Sequence, residues 1–319
     1  MKTSLRPLAC LATCALTLAA FAAQTAEPQT CFPSKFGPDD QIGNLNYITP
    51  EKTLAAAKLI TRGKAYRLGI ETSKNTPAYP PRTFNITILQ PNQIAGSTFG
   101  PTKTTYNDDM ITGWAGVGSQ LDGLGHLGIN NVYYNCNRAV DFVQADGLRR
   151  LGIETVPAIA TRAVLLDMAG YYNTDLVKEG TIFNRAEIDG AMKRQGVAAI
   201  ERGDVVLFHT GWTQLIGKDN PRFSATEPGL GVDGARYLVS LDVAIVGADT
   251  WGVDAVPPEP GAGIFEAHQV LIAMNGVFLL ENMSTGEMVK DKAWESFFTL
   301  GPARITGSVQ AIVNPVAIK

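Results

Sequence analysis

Six short runs, at residues 83–89, 163–167, 204–209, 243–246, 277–280 and 309–313, are rich in β-branched and aromatic residues, and most are apolar along their length. A strand with one solvated face alternates apolar and polar side chains, so runs without that alternation require a sheet covered on both faces. Helical signals lie between them. Pro50-Glu51-Lys52-Thr53-Leu54 opens a helix-forming stretch that reaches Ile60, with proline in the first turn and Gly63 near its end. Asn184-Arg185-Ala186-Glu187 reads as a capping box, and Gly196 is placed to stop the helix that follows. The chain has 319 residues, no repeat and no Ser/Gly/Pro linker, so the pattern predicts one α/β domain with a mixed sheet over residues 27–319.

The first 26 residues read differently. Met1 to Arg6 gives a cationic start, residues 8–23 form an Ala/Leu-rich run, and Ala20-Phe21-Ala22 fits a small-x-small cleavage site. The run is broken by Thr13, Cys14 and Thr17 and is shorter than the ~20 apolar residues of a membrane span, so residues 1–26 are expected to be a secretory signal rather than an anchor. The mature chain is then expected in the periplasm or secreted, free of the membrane. Of four cysteines, Cys31 and Cys136 remain after such cleavage; in an oxidising compartment they can close a disulfide, the alternative being two unrelated thiols. A formal charge of −3 gives no basic footprint for nucleic acid, which makes small molecules the expected partners.

Histidine is scarce. The three, His126, His209 and His268, each sit in a compact segment flanked by glycine or acid, and imidazole is the side chain best suited to hold a metal or move a proton near neutral pH. Asp122 and His126 are four apart in a Gly-rich stretch, with Gln120 two residues before the aspartate. If residues 120–122 are extended, Gln120 and Asp122 face one way, and the glycines that follow let the chain turn tightly. That arrangement fits either a metal-ligating group with a nearby imidazole or a hydrogen-bonded structural pair. His209 closes one apolar run and Asp249 follows another, and in α/β sheets such strand ends are where ligands usually bind. Glu281 closes a third, and a carboxylate there needs a cation, a metal or hydrogen-bond donors. Trp114, Trp212 and Trp251 belong to or border these segments, as pocket walls or as core aromatics.

The stretch from Asn107 through Gly118-Ser119-Gln120-Leu121-Asp122-Gly123-Leu124-Gly125-His126, then His209-Thr210-Gly211-Trp212, Gly247-Ala248-Asp249-Thr250, and His268 with Glu281, resembles the cyclase family that includes bacterial kynurenine formamidase and isatin hydrolase. The resemblance implies a swivelling β/β/α fold, a homo-oligomer, and metal-dependent hydrolysis of an amide, lactam or lactone. The family pattern is His-x-Gly-Thr-His-x-Asp-x-x-x-His. Here Gly116 stands at its first histidine, Gly118-Ser119 at the Gly-Thr pair, and Gln120 at its second histidine. Asp122 matches the aspartate ligand, His126 the final histidine that resembles the catalytic acid/base, and His268 with Glu281 the pair contributing to a second metal position. Glutamine oxygen can ligate a hard cation such as Mn²⁺ or Mg²⁺ but replaces imidazole poorly at Zn²⁺. The resemblance therefore implies one divalent metal, manganese or zinc with magnesium as a further option, held by Asp122, His268, Glu281 and Gln120. His209 would orient substrate, stabilise developing negative charge, or make a structural hydrogen bond.

Two glycine patterns at residues 123–128 and 229–234 match a dinucleotide fingerprint, but neither follows a convincing buried strand. No Gly-x-Ser-x-Gly elbow is present, which argues against a serine hydrolase. The expectation is an exported metal-dependent hydrolase, with Trp114, Trp212 and Trp251 against the substrate. The alternatives are a metal-free ligand-binding relative, or a cyclase or dehydratase reaction at the same site.

Overall fold

The computed structural model describes residues 31–89 and 98–319; the signal expected at residues 1–26 lies outside them. Nine strands form the main sheet among the described residues: β1 (Ala65–Arg67), β2 (Gln120–Asp122), β3 (Ile159–Asp167), β4 (Val205–His209), β5 (Ile245–Ala248), β6 (Phe278–Glu281), β7 (Glu295–Leu300), β8 (Gln310–Ile312) and β9 (Val316–Ile318). Their spatial order is β1-β9-β7-β3-β4-β5-β6-β2-β8. The four central strands β3 to β6 run parallel, and the flanking strands are antiparallel to their neighbours. This is the mixed sheet of a single α/β domain.

The apolar runs explain the centre. Val205, Val206, Leu207 and Phe208 of β4 and Ile245 and Val246 of β5 are fully or almost fully buried, so both faces of these strands are covered. Each such side chain contributes about 1.5–3 kcal/mol through removal from water. Helix α1 (Pro50–Ala57) and helix α2 (Arg185–Gln195) both pack on β3. Helix α1 starts at Thr49, whose hydroxyl accepts from the Lys52 amide, and stops three residues before Ile60. Helix α2 has the expected capping box, with the Asn184 amide donating to Glu187 Oε2 at 2.9 Å, and ends at Gly196 with φ of 71°.

The sheet curls strongly. Strands β8 and β9 are separated in sequence by residues 313–315 alone, yet β8 is one edge and β9 lies beside the opposite edge. So short a link requires the two edges to approach each other. One sequence expectation fails here. The run at 83–89 is not a strand of the main sheet: Phe84–Leu89 pairs with Asp108–Gly113 as a separate two-stranded ribbon, and only Phe84 of the twelve paired residues is buried. Its apolar residues at 84, 86 and 88 alternate, which suits a half-exposed ribbon as well as a core strand.

Cys31 and Cys136 are joined by a disulfide across 105 residues of sequence. The arm it tethers is also hydrogen-bonded: Ser34 N donates to Asn135 Oδ1 at 3.0 Å, and Tyr134 OH donates to Asp40 Oδ2 at 2.7 Å. The arm should therefore keep its place without the bond, while the unfolded chain gains the entropy of an open loop. Cys136→Ser is expected to cost about 2–4 kcal/mol and lower Tm by roughly 5–10 °C in a thermal melt. No helix among the described residues is long and apolar enough to cross a membrane.

Candidate metal centre and its cavity

The register of β2 builds the site. Gln120 and Asp122 are two apart on one strand and share a face, and the antiparallel pairing puts Glu281 of β6 opposite Gln120 and Gln310 of β8 opposite Asp122. Four polar side chains thus meet across three neighbouring strands at the carboxyl end of β6, all of them buried. Gln120 Nε2 donates to Glu281 Oε2 at 2.6 Å, and Gln310 Nε2 donates to Asp122 Oδ1 at 2.6 Å. Asp122 Oδ2 and Gln120 Oε1 are buried without a hydrogen-bond partner.

His268 arrives from another direction. It ends the short helical turn Glu266–His268, which continues as a wider helical turn over Gln269–Ala273. Asp254 fixes it: Asp254 Oδ2 accepts from the Ala267 amide at 2.8 Å, and Asp254 Oδ1 accepts from His268 Nδ1 at 2.5 Å. That bond commits Nδ1 as donor and points Nε2 at Glu281 Oε1, 3.1 Å away, and at Asp122 Oδ2, 4.0 Å away. A carboxylate behind a histidine in this way sets tautomer and orientation for metal binding. One atom each of Asp122, His268 and Glu281 lie within 4.8 Å of one another.

The electrostatics ask for a cation. Burial raises the Glu281 carboxyl, and the neighbouring Asp122 charge raises it further, to about 7. Burial pulls His268 down, but Asp254 and Glu281 outweigh it and hold the imidazole well above its ordinary value. In the absence of metal, then, His268 Nε2 and Glu281 Oε1 share a proton across 3.1 Å, and a divalent ion would take that proton's place. Two carboxylate oxygens and one imidazole nitrogen, with a bare buried oxygen on Asp122, fit one such ion. Glu227 is a further buried carboxyl: its Oε2 accepts from the Gly252 amide at 3.0 Å, and burial, reinforced by Glu281 and Asp254, holds it protonated well above the carboxylate range.

His126 reaches the same place through a tight turn, its amide donating to Gly123 O at 3.0 Å. Gly123 is needed for close approach, since a Cβ there would lie 2.9 Å from Val309 O beside β8. His126 Nε2 stands 3.6 Å from Asp122 Oδ2, and burial pulls its pKa below the ordinary value despite that carboxylate, leaving a neutral ring that can take a proton. Beside these groups lies a cavity of about 180 Å³, lined by His126, His268 and Glu281 together with Tyr79, Trp251, Phe265, Leu127 and Arg82. Such a volume holds one substituted ring; about 150 Å³ accommodates benzene. Trp251 stacks on Tyr79 with ring centroids 5.3 Å apart and meets Phe265 edge-on at 6.1 Å.

The structure therefore brings together Asp122, Gln120, Glu281, His268, His126 and Trp251. It does not bring in the other two tryptophans. Trp212 is a core residue, fully buried against Leu215 and Phe223, with its indole N–H donating to Phe223 O at 3.2 Å. Trp114 is exposed at the end of the ribbon, away from the cavity lining. His209 ends β4 as expected, but its Nδ1 is engaged by Thr285 Oγ1 at 2.8 Å and Asp249 Oδ2 at 3.2 Å, and it does not line the cavity. Asp249, with bonds from the Thr210 and Gly211 amides, organises that turn. Gln310, Asp254, Glu227, Arg82, Tyr79 and Phe265 were not legible as site residues. Phe265, three residues before His268, carried the nearest available signal.

Comparison with known proteins gives the family and the fold. Residues 66–255 match the family model described as putative cyclase. A solved structure described as a novel cyclase is 29% identical, with a TM-score of 0.80, covering 89% of this chain and 96% of its own. Isatin hydrolase A from Ralstonia solanacearum is 17% identical with a TM-score of 0.61, covering 85% of this chain and 98% of its own. An isatin hydrolase bound to the product analogue thioisatinate is 18% identical with a TM-score of 0.60, covering 84% and 98%. A search of curated proteins found no match. With a family model spanning more than half of its length and the same curled mixed sheet, this chain belongs to the cyclase family.

Proposed function

We propose that this protein is an exported metal-dependent hydrolase that opens an amide, lactam or lactone bond in a small cyclic or aryl substrate. The observation that carries the reading is the buried, unpartnered Asp122 Oδ2 beside His268 Nε2 and Glu281 Oε1, at the base of an aromatic cavity that also contains His126. A divalent cation held by Asp122, His268 and Glu281 would supply Lewis acidity toward a substrate carbonyl and toward water. The chain's own residues do the rest. Trp251, Tyr79 and Phe265 hold a planar ring and exclude water, while Asp254 keeps His268 in one tautomer. His126, neutral at physiological pH, accepts a proton from the attacking water and returns it to the leaving nitrogen or oxygen.

A second reading has its own observation. Gln120 and Gln310 already donate hydrogen bonds to Glu281 and Asp122, which is how a metal-free binding protein would hold these carboxylates. Hydrolysis of lactams, lactones and aryl amides, followed by chromatographic product analysis with added manganese or zinc and again after chelation, separates the two. Turnover that depends on metal is the expected result; binding without turnover under every metal condition contradicts the hydrolase reading.

A further inference from the structure

Arg82 is the one Lys or Arg lining the cavity among the described residues. Its guanidinium donates through Nη1 to Gly116 O at 3.2 Å, and no described carboxylate lies within 4.0 Å of it. A guanidinium carries five N–H donors in a planar fork matched to carboxylate geometry, so this side chain is largely unspent. It stands there because residue 116 is glycine. A Cβ at that position would lie 2.7 Å from Arg82 Nη1 and 2.7 Å from Gln310 Oε1, so any larger residue would press on both side chains. Where the cyclase pattern has a histidine, this chain has instead made room for a cation delivered by a different segment.

The charge balance says what that cation is for. Glu281 lines the same cavity with Asp122 near it, and a divalent ion held by the two carboxylates and His268 would balance their charge and leave Arg82 as an unbalanced cation in the lining. A neutral aromatic substrate would need no arginine in a lining shared with Trp251, Tyr79 and Phe265. We infer that Arg82 recognises an anionic group on the substrate, and that the cavity takes a small aromatic acid: a planar ring against Trp251 and Phe265 with its carboxylate paired to Arg82. This inference rests on the proposed function only in placing substrate in this cavity; the recognition itself needs no chemistry.

The test is calorimetric titration of phenylacetate and its neutral counterpart phenylacetamide into the wild type, Arg82→Met and Arg82→Lys, each with metal and again after chelation. Circular dichroism and melting temperature check that the variants are folded. The wild type should prefer the acid by about tenfold or more under both conditions. Arg82→Met should lose that preference while binding the amide within about twofold of wild type, and Arg82→Lys should keep part of it. Equal affinity for acid and amide in the wild type, an acid preference that survives in Arg82→Met, or no binding of either probe at millimolar concentration would overturn the inference. The two readings fail separately. An Arg82-dependent acid preference in a protein without turnover leaves the recognition standing and removes the hydrolase. Metal-dependent hydrolysis that is equally fast on neutral and acidic substrates does the opposite.

Discussion

His126→Gln is expected to lower kcat by about 10²–10⁴-fold while the metal content stays at the wild-type level. The ring is placed by a turn rather than by metal ligation: its amide bonds to Gly123 O, and Nε2 is 3.6 Å from Asp122, close enough to exchange a proton near the reacting centre. Burial depresses its pKa, so the neutral form that accepts a proton prevails at pH 7 and is lost as pH falls. Glutamine keeps hydrogen-bonding capacity but cannot carry the proton. Full turnover in this variant, measured with elemental analysis of the same sample, would show that His126 is not the acid/base.

Asp122→Ala should lose metal and activity together. This carboxylate contributes the bare buried oxygen of the triad, and the other unpartnered oxygen on its strand, Gln120 Oε1, carries no charge to replace it. Asp122→Asn serves as the companion variant: its amide oxygen can still accept from Gln310, so the β2–β8 pairing is kept while the charge is removed. Both variants should turn over no faster than the chelated wild type. An Asp122→Asn protein with wild-type activity and bound metal would contradict the assignment.

Much of the centre could be read from the chain because it depends on local geometry. An extended segment at residues 120–122 necessarily puts Gln120 and Asp122 on one face, and the strand-end position of Glu281 demanded a partner. The apolar runs at 204–209, 243–246 and 277–280 gave the buried parallel strands, within two residues at their ends. What sequence could not supply was register between distant segments. Gln310 lies 188 residues from Asp122 and meets it only because β8 pairs with β2, a consequence of how the whole sheet curls. Arg82 shows the same limit: the glycine at 116 announced an emptied position, but nothing local said which side chain would fill it. Trp212 shows the converse. Its place beside a strand end suited a pocket, and burial against Leu215 and Phe223 decided otherwise.

Asp122, His268 and Glu281 should together hold a single divalent ion. Elemental analysis of the purified protein, expressed with manganese and zinc both available and dialysed against metal-free buffer, tests it most directly. About one equivalent per chain is expected. No metal at all would mean that Gln120, Gln310 and a protonated His268 satisfy these carboxylates by themselves, and the hydrolase reading would fall.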